Sequence, residues 1–180
     1  MEDLTFNTTP GATVARELLI CYLNTGEADK PVWSPVGKRV EDSSIEMDWS
    51  TETRVDIFGN TYTTGKKATK TQTFEPWELD ASDVAQKKIW NLAIKDNDVN
   101  QLLNQDMLLV HFYAGTTGSV FAERYESCAV LPTGLGGEGG GSVGMPIGID
   151  CVLVSVAGIV SVVGIRHLLV VGFFRIRTSC

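Results

Sequence analysis

The chain has 180 residues, 43% of them hydrophobic, and a formal net charge of -7, so it can form one domain with a proper core and is not intrinsically disordered. Residues 1–150 hold 12 Lys and Arg against 22 Asp and Glu, a balance of -10, whereas the last 30 residues hold three Arg and no acid. This acidic body argues against a basic face that binds nucleic-acid phosphates.

The N-terminus and the cysteines bear on the cellular compartment. The first 20 residues carry acids where a signal peptide has its positive region, which predicts intracellular synthesis without export. The four cysteines lie far apart and form neither a CxxC pair nor a zinc-binding spacing. We therefore expect free thiols and no metal site. The cysteines are Cys21, Cys128, Cys151 and Cys180.

The first elements in chain order are predicted to be extended. Residues 13–24 (TVARELLICYLN) fit either an amphipathic helix or a strand, and the strand is favoured. Residues 32–40 include Trp33 and Pro35. Because proline cannot donate to a sheet ladder, this pattern favours an edge strand or a short extended lead-in.

Residues 44–79 are typical of extended chain throughout. Ile45, Met47 and Trp49 alternate with polar residues, which is the period of a strand with one dry face. The Gly59-Asn60 dipeptide indicates a turn, and it is followed by a run of threonines and lysines whose β-branched members suit a half-exposed strand.

This pattern predicts a long β-arm over about residues 44–75. A hairpin with so few apolar residues for its length needs a third strand or a partner surface. We therefore interpret residues 44–79 as an assembly element. The candidate inter-subunit contacts on it are Trp49, Ile57, Phe58 and Tyr62.

A helix is predicted over about residues 82–95. Ser82 and Asp83 supply an N-cap and an acid near the positive end of the helix dipole. Apolar residues then recur on one face, with the lysines off it. The helix should therefore lie against a sheet, and the link over residues 95–105 is polar.

A strand pair and a glycine-rich loop follow. Residues 107–114 (MLLVHFYA) are nearly all apolar, which fits a strand buried on both faces. The turn at residues 115–118 joins it to a partner strand over residues 120–131. Residues 132–144 contain seven glycines, so we expect a flexible loop between strands.

The glycine-rich loop contains a formal GxGxxG, the spacing of a dinucleotide site. A phosphate cradle needs a strand before it and a helix N-terminus after it. Pro146 and two further glycines follow here instead, without a helical period. We predict no bound cofactor. The three glycines of the pattern are Gly134, Gly136 and Gly139.

The sequence offers little evidence for a catalytic site. His111 lies in an apolar strand and His167 in an apolar tail, where a histidine is usually packed. Acid pairs such as Asp96 and Asp98 are explained by a solvated face. No serine or cysteine nucleophile motif accompanies them. We predict no catalytic residues and no enzymatic activity.

The C-terminal residues are apolar. Residues 151–165 are uncharged but number only 15, where a membrane helix needs about 20, and Arg166 would fall inside a longer span. Their valine and isoleucine content favours buried strands over a membrane span. Residues 166–180 form an atypical tail, apolar and basic on an acidic protein.

The order of these parts resembles the tail tube proteins of long-tailed, siphovirus-like bacteriophages over residues 1–150. The resemblance rests on WSPVGKRVEDSSIEMDWSTET at residues 33–53, which leads into the Thr/Lys arm, and on FEPWELD at residues 74–80, which leads into the helix. The C-terminal residues depart from the pattern. The resemblance implies a single domain over residues 1–180, with a β-sandwich or barrel-like fold and one flanking helix.

The resemblance also implies a function. Such subunits form hexameric rings that stack into a hollow tube around a tape-measure protein, between tail-tip and terminator proteins, and DNA later passes through without specific binding. The expected location is the virion tail, assembled in the host cytoplasm and without a membrane.

The physics of the chain agrees with that role. A barrel wide enough for an aqueous channel needs on the order of 16 strands, so several chains of this length would have to share one sheet. An acidic lumen would repel DNA phosphates, although ordinary solubility explains the charge equally well.

Two other classes of function stay open. A β-sandwich could bind glycans through an aromatic platform, and its candidate residues are Trp33, Trp49, Tyr62 and Trp77. The other is a β-domain anchored in a membrane by the apolar C-terminal segment.

Overall fold

β-Strands dominate the fold. A computed structural model describes residues 5–116, 118–152, 156–163 and 170–173. The strands are β1 (Leu19–Asn24), β2 (Trp33–Pro35), β3 (Ile45–Asp48), β4 (Glu52–Val55), β5 (Thr61–Thr64), β6 (Thr69–Phe74), β7 (Gln105–Thr116), β8 (Ser119–Pro132), β9 (Ile147–Cys151), β10 (Val156–Val163) and β11 (Val170–Phe173). The helices are α1 (Val84–Trp90) and α2 (Val99–Leu102), with a 3-10 turn at Arg16–Leu18 and a π-helical turn at Asn91–Lys95.

Nine strands form one antiparallel sheet in the order β2-β1-β7-β8-β9-β6-β3, and β10 and β11 branch from it. β8 carries the branch, because its first half pairs with β10 and its last residues pair with β9. β4 and β5 form a separate two-stranded sheet. The predicted mainly β, sandwich-like class with a flanking helix and an extended arm is confirmed.

The β7–β8 hairpin is the centre of the sheet and is buried on both faces, as predicted for residues 107–114. Met107 and Leu109 pack into the main core, while Leu108 and Val110 pack into a second cluster with Tyr22. Successive strand residues point to opposite faces, so a nearly continuous apolar run is what such a strand requires.

Gly115 is needed where this hairpin turns. Its φ is 119°, and a Cβ there would meet the carbonyl oxygen of Ser119 at 2.4 Å. A side chain at this position would therefore force the two backbones apart.

The predicted helix is present and packs on the sheet. Asp83 caps α1, because its carboxylate accepts a hydrogen bond from Gln86 N at 3.0 Å. Ala85 and Ile89 face the main core, and the π-helical turn continues the helix to Lys95. The short helix α2 was not predicted, since residues 95–105 were interpreted as a polar link.

The expectation of four free thiols is wrong. Cys128 and Cys151 form a disulfide between β8 and β9, where they are register partners with a Cα–Cα distance of 4.5 Å. The two residues are 23 positions apart, so only the pairing of the strands brings them together. Cys21 is a free thiol whose burial raises its pKa to about 12. Cys180 lies outside the described residues.

The C-terminal region contains strands, as predicted for residues 151–165, where the structure describes it. β10 pairs with β8 and β11 pairs with β10. The predicted atypical tail at residues 166–180 lies outside the described residues, apart from β11. None of the described residues forms a helix that is both long and apolar enough to cross a membrane.

Candidate assembly surface

The predicted arm has a base and a tip that differ in their surroundings. At the base, β3 and β6 pair as the last two strands of the main sheet, and Asp48 is opposite Thr69. Beyond them the chain continues into the β4–β5 hairpin, which forms a separate two-stranded sheet among the described residues. We call this hairpin and its turn, residues 52–64, the arm tip.

The arm tip buries almost nothing. All eight residues of β4 and β5 are exposed, and the strands are joined by their ladder from Glu52–Thr64 to Val55–Thr61. A two-stranded hairpin of this kind is marginal alone in water. Its apolar side chains are therefore available for a surface outside the subunit.

The turn of the arm tip is locally ordered by Asp56. Its carboxylate accepts hydrogen bonds from Phe58 N at 2.9 Å, Asn60 N at 2.8 Å and Asn60 Nδ2 at 3.0 Å. These bonds, the Asn60 side chain first, lower the pKa of Asp56 and keep it charged. Gly59 supplies the positive φ, 84°, that the turn needs.

The four predicted interface residues all lie exposed on the arm. Ile57 is 94% exposed and Phe58 is 82% exposed at the turn, Tyr62 is exposed on β5, and Trp49 is exposed between the base and the tip. Their role in assembly stays a prediction. The structure places the consecutive residues Ile57 and Phe58 on a hydrogen-bonded turn and exposes both side chains.

The predicted dry face of Ile45, Met47 and Trp49 is only partly correct. Ile45 packs against the main core, but Met47 and Trp49 are exposed. Directly after β3, Ser50 has a positive φ of 43° and donates its N–H to Asp48 Oδ1 at 2.8 Å, which interrupts the extended backbone there.

An open groove of about 1020 Å³ lies at the other end of the β3–β6 pair. Phe74, at the end of β6, and Trp33, on β2, contribute buried aromatic side chains to its lining. Val32 and Val84 line it as exposed residues. β2 is the terminal strand of the main sheet, so its outer edge borders the groove without a strand partner among the described residues.

A polar cluster centred on Glu123 ties three strands together. Its Oε2 accepts hydrogen bonds from Lys70 Nζ on β6 and from the Tyr125 hydroxyl at 3.2 Å, and lies 3.3 Å from His111 Nε2 on β7. His111 Nδ1 lies 2.8 Å from the Tyr113 hydroxyl. His111 was predicted to be packed, and it is half-buried, but in a hydrogen-bonded network.

The electrostatics of this cluster favour an ionised carboxylate. Burial by itself raises the pKa of Glu123, but hydrogen bonds from His111 and Lys70 and their charges outweigh it, and the pKa is lowered to about 2. Burial and the Glu123 charge raise the pKa of Tyr125. The charged Glu123 carboxylate therefore stabilises the packing of the three strands, and it is poorly suited to accept a proton near neutral pH.

The aromatic platform considered for glycan binding is wrong for two of its four members. Trp33 and Trp77 are buried at 2% and 0% exposure, so neither can contact a ligand. Trp49 and Tyr62 remain exposed, and both belong to the arm.

The glycine-rich loop lies between β8 and β9 as predicted, and the strand β9 follows it where a phosphate cradle needs a helix. It is better anchored than a flexible linker. Gly136 and Gly144 exchange two backbone hydrogen bonds, and Met145 N donates to Trp77 O at 2.9 Å. Among the described residues, no three His, Cys, Asp or Glu side chains gather as a metal site.

The comparisons with known proteins assign this chain to no family. No protein-family model matches the chain, and no curated protein matches it. Some solved structures do match the chain, and three of them are as follows.

One is the sheath–tube complex of the PVC extracellular contractile injection system in its extended state, with 10% identity, a TM-score of 0.47 and coverage of 85% of this chain and 95% of that chain. Another is the tube-terminating cap of the anti-feeding prophage, with 15% identity, a TM-score of 0.47 and coverage of 86% and 95%. A third is the sheath/tube terminator of the PVC system in the extended state, with 9% identity, a TM-score of 0.49 and coverage of 84% and 99%. At these identities and TM-scores, the function has to be argued from this chain's own surfaces.

Proposed function

We propose that this chain is a structural subunit that polymerises into the hollow tube of a phage-like tail. The observation that carries the proposal is the arm tip, an ordered hairpin whose strands are exposed throughout and whose turn presents Ile57 and Phe58 to solvent. Exposed apolar residues side by side on an ordered turn are typical of an interaction surface. A single subunit gains almost no stability from them.

The sheet edges support the same conclusion. Among the described residues, β2, β3 and β11 are the terminal strands of the main sheet, and edges of this kind are either protected or used to bind another chain. A tube wall that shares one sheet between subunits uses two such edges. Heterologous contacts of this kind generate rings or filaments, depending on whether the rotation closes.

The finer parts of the proposal come from the resemblance to bacteriophage tail tube proteins. The subunits form hexameric rings that stack around a tape-measure protein. Tail-tip and terminator proteins bind the ends of the tube. The tube is the conduit for DNA ejection from a virion. The charge of residues 1–150, 12 basic against 22 acidic, supports passage of DNA without binding, because like charges repel. In this role the subunit needs no catalytic activity and no cofactor.

The test removes the arm beyond its base. Asp48 and Thr69 are register partners, so a two-residue Gly-Ser turn replacing residues 49–68 can close the β3–β6 pair. The shortened protein should stay folded, with a melting temperature within about 4 °C of the full chain, because little buried surface is lost. Negative-stain electron microscopy should show rings or tubes for the full chain and none for the shortened one.

Two outcomes contradict the proposal. One is that the full chain stays monomeric at high concentration. The other is that the shortened protein assembles as the full chain does. A matched control is the double substitution Thr53→Ser/Thr63→Ser, which keeps a hydroxyl pair across the arm tip, now 3.1 Å apart, and should assemble normally.

A further inference from the structure

We propose that the groove beside β2 is the acceptor for the arm tip of a second copy of this chain. This inference rests on the proposed function and adds the surface that receives the arm. It concerns the groove of about 1020 Å³ between β2, residues 36–43, the end of β6 and the start of α1.

The arm and the groove lie at opposite ends of the same strand pair. β6 begins at Thr69, next to the arm, and ends at Phe74, which lines the groove. The five intervening steps correspond to about 17 Å. The arm therefore leaves its own subunit at the end away from the groove. A second copy placed head to tail would bring its arm to the groove end, and a heterologous contact of this kind repeats from subunit to subunit.

The chemistry of the two surfaces is complementary. The arm tip presents an isoleucine and a phenylalanine on a turn ordered by Asp56, so little conformational entropy is lost when they bind. The groove presents aliphatic side chains that are exposed or half-buried, among them Val32, Val40 and Val84. Its volume is at the upper end of what ligand pockets enclose, which suits two large side chains with their backbone.

All three residues of β2, a terminal strand of the sheet, line the groove. An arriving strand of the hairpin can therefore also form backbone hydrogen bonds with β2, except to Pro35, which has no N–H to donate.

The test uses one donor variant and one acceptor variant. Phe58→Glu changes the arm tip, and Val84→Glu places a charge in the groove. Val84 is the first residue of α1, after the cap Asp83, and is 54% exposed, so the substitution should leave the fold intact. Val32→Glu, at an exposed position in the same groove, is the second acceptor variant in case the first fails to fold.

Val99→Glu is the matched control. Val99 is the first residue of α2, after the cap Asp98, is 53% exposed and lies outside the groove lining. Sedimentation velocity and negative-stain microscopy of each variant, alone and mixed, give the readout, and circular dichroism checks the fold.

Phe58→Glu and Val84→Glu should each need at least about tenfold more protein to assemble than the full chain, and Val99→Glu should assemble normally. An equimolar mixture of the donor and acceptor variants should form dimers that do not grow, because one intact tip can still enter one intact groove.

The groove is not the acceptor if both folded groove variants assemble normally while Phe58→Glu does not, or if the mixture stays monomeric, or if Val99→Glu is as defective as Val84→Glu. In these cases the tube function itself stands. If Phe58→Glu assembles like the full chain, the arm is not an assembly element and the proposed function fails with it.

Discussion

The chain contains two antiparallel hairpins with the same kind of backbone ladder and opposite surroundings. In the β7–β8 hairpin, Leu108 and Tyr125 lie on opposite faces and both are buried. In the β4–β5 hairpin every strand residue is exposed. Backbone hydrogen bonds contribute little net stability, because water offers the same bonds to the unfolded chain. Burial therefore decides which hairpin stabilises the subunit and which is left for association.

A pair of substitutions, one in each hairpin, tests most directly whether burial distinguishes the two hairpins. Leu108→Ala should lower the free energy of unfolding by about 2–5 kcal/mol, because Leu108 is fully buried and a cavity remains. Phe58→Ala should change it by less than about 0.5 kcal/mol, because Phe58 is 82% exposed. Urea titrations followed by tryptophan fluorescence measure both. Equal effects from the two substitutions would show that the arm tip is packed within its own subunit.

The disulfide gives the next largest effect. Cys128 and Cys151 close a segment of 23 positions in the buried centre of the sheet, and removing such a link costs about 2–4 kcal/mol. Reductant should therefore lower the melting temperature of the full chain. The double variant Cys128→Ala/Cys151→Ala should melt lower and be insensitive to reductant. An identical melting curve with and without reductant, at confirmed full reduction, would contradict this expectation.

The smallest effect concerns the Glu123 cluster, which joins β6 to the β7–β8 hairpin. The pKa of Glu123 is lowered from 4.5 to about 2 in the folded chain, so its contribution is complete above about pH 4.5 and is lost as the pH falls through about 2. Glu123→Gln should cost about 2 kcal/mol at pH 7 and less at pH 3. Urea titrations at the two pH values measure this difference.

Glu46→Gln, at an exposed position on β3, is the matched control for the Glu123 substitution. Its cost should be small at both pH values, because an exposed carboxylate gains little from its surroundings. A Glu123→Gln cost that does not change between pH 7 and pH 3 would contradict the assignment of the stabilisation to the ionised carboxylate.

Features that depend on near neighbours in the chain were predictable from sequence. The helix begins at Val84 and, with its π-helical turn, runs to Lys95, close to the predicted residues 82–95, because a cap and a 3.6-residue period are local signals. The continuous apolar run of β7 likewise predicted a strand that is buried on both faces, and the polar pattern of the arm predicted strands that bury little apolar surface. The interface role of Trp49, Ile57, Phe58 and Tyr62 stays a prediction.

Features that depend on strand register were decided only by the tertiary structure. Cys128 meets Cys151 because β8 pairs with β9, and Glu123 meets Lys70 and His111 because three strands bring them together. Trp33, Trp49 and Trp77 are all tryptophans, and their sequence context did not separate them. The fold buries Trp33 and Trp77 and exposes Trp49. The physical reason is that a local period sets which side a residue faces within its own strand, whereas the partner on that side is set by long-range pairing, which no local pattern contains.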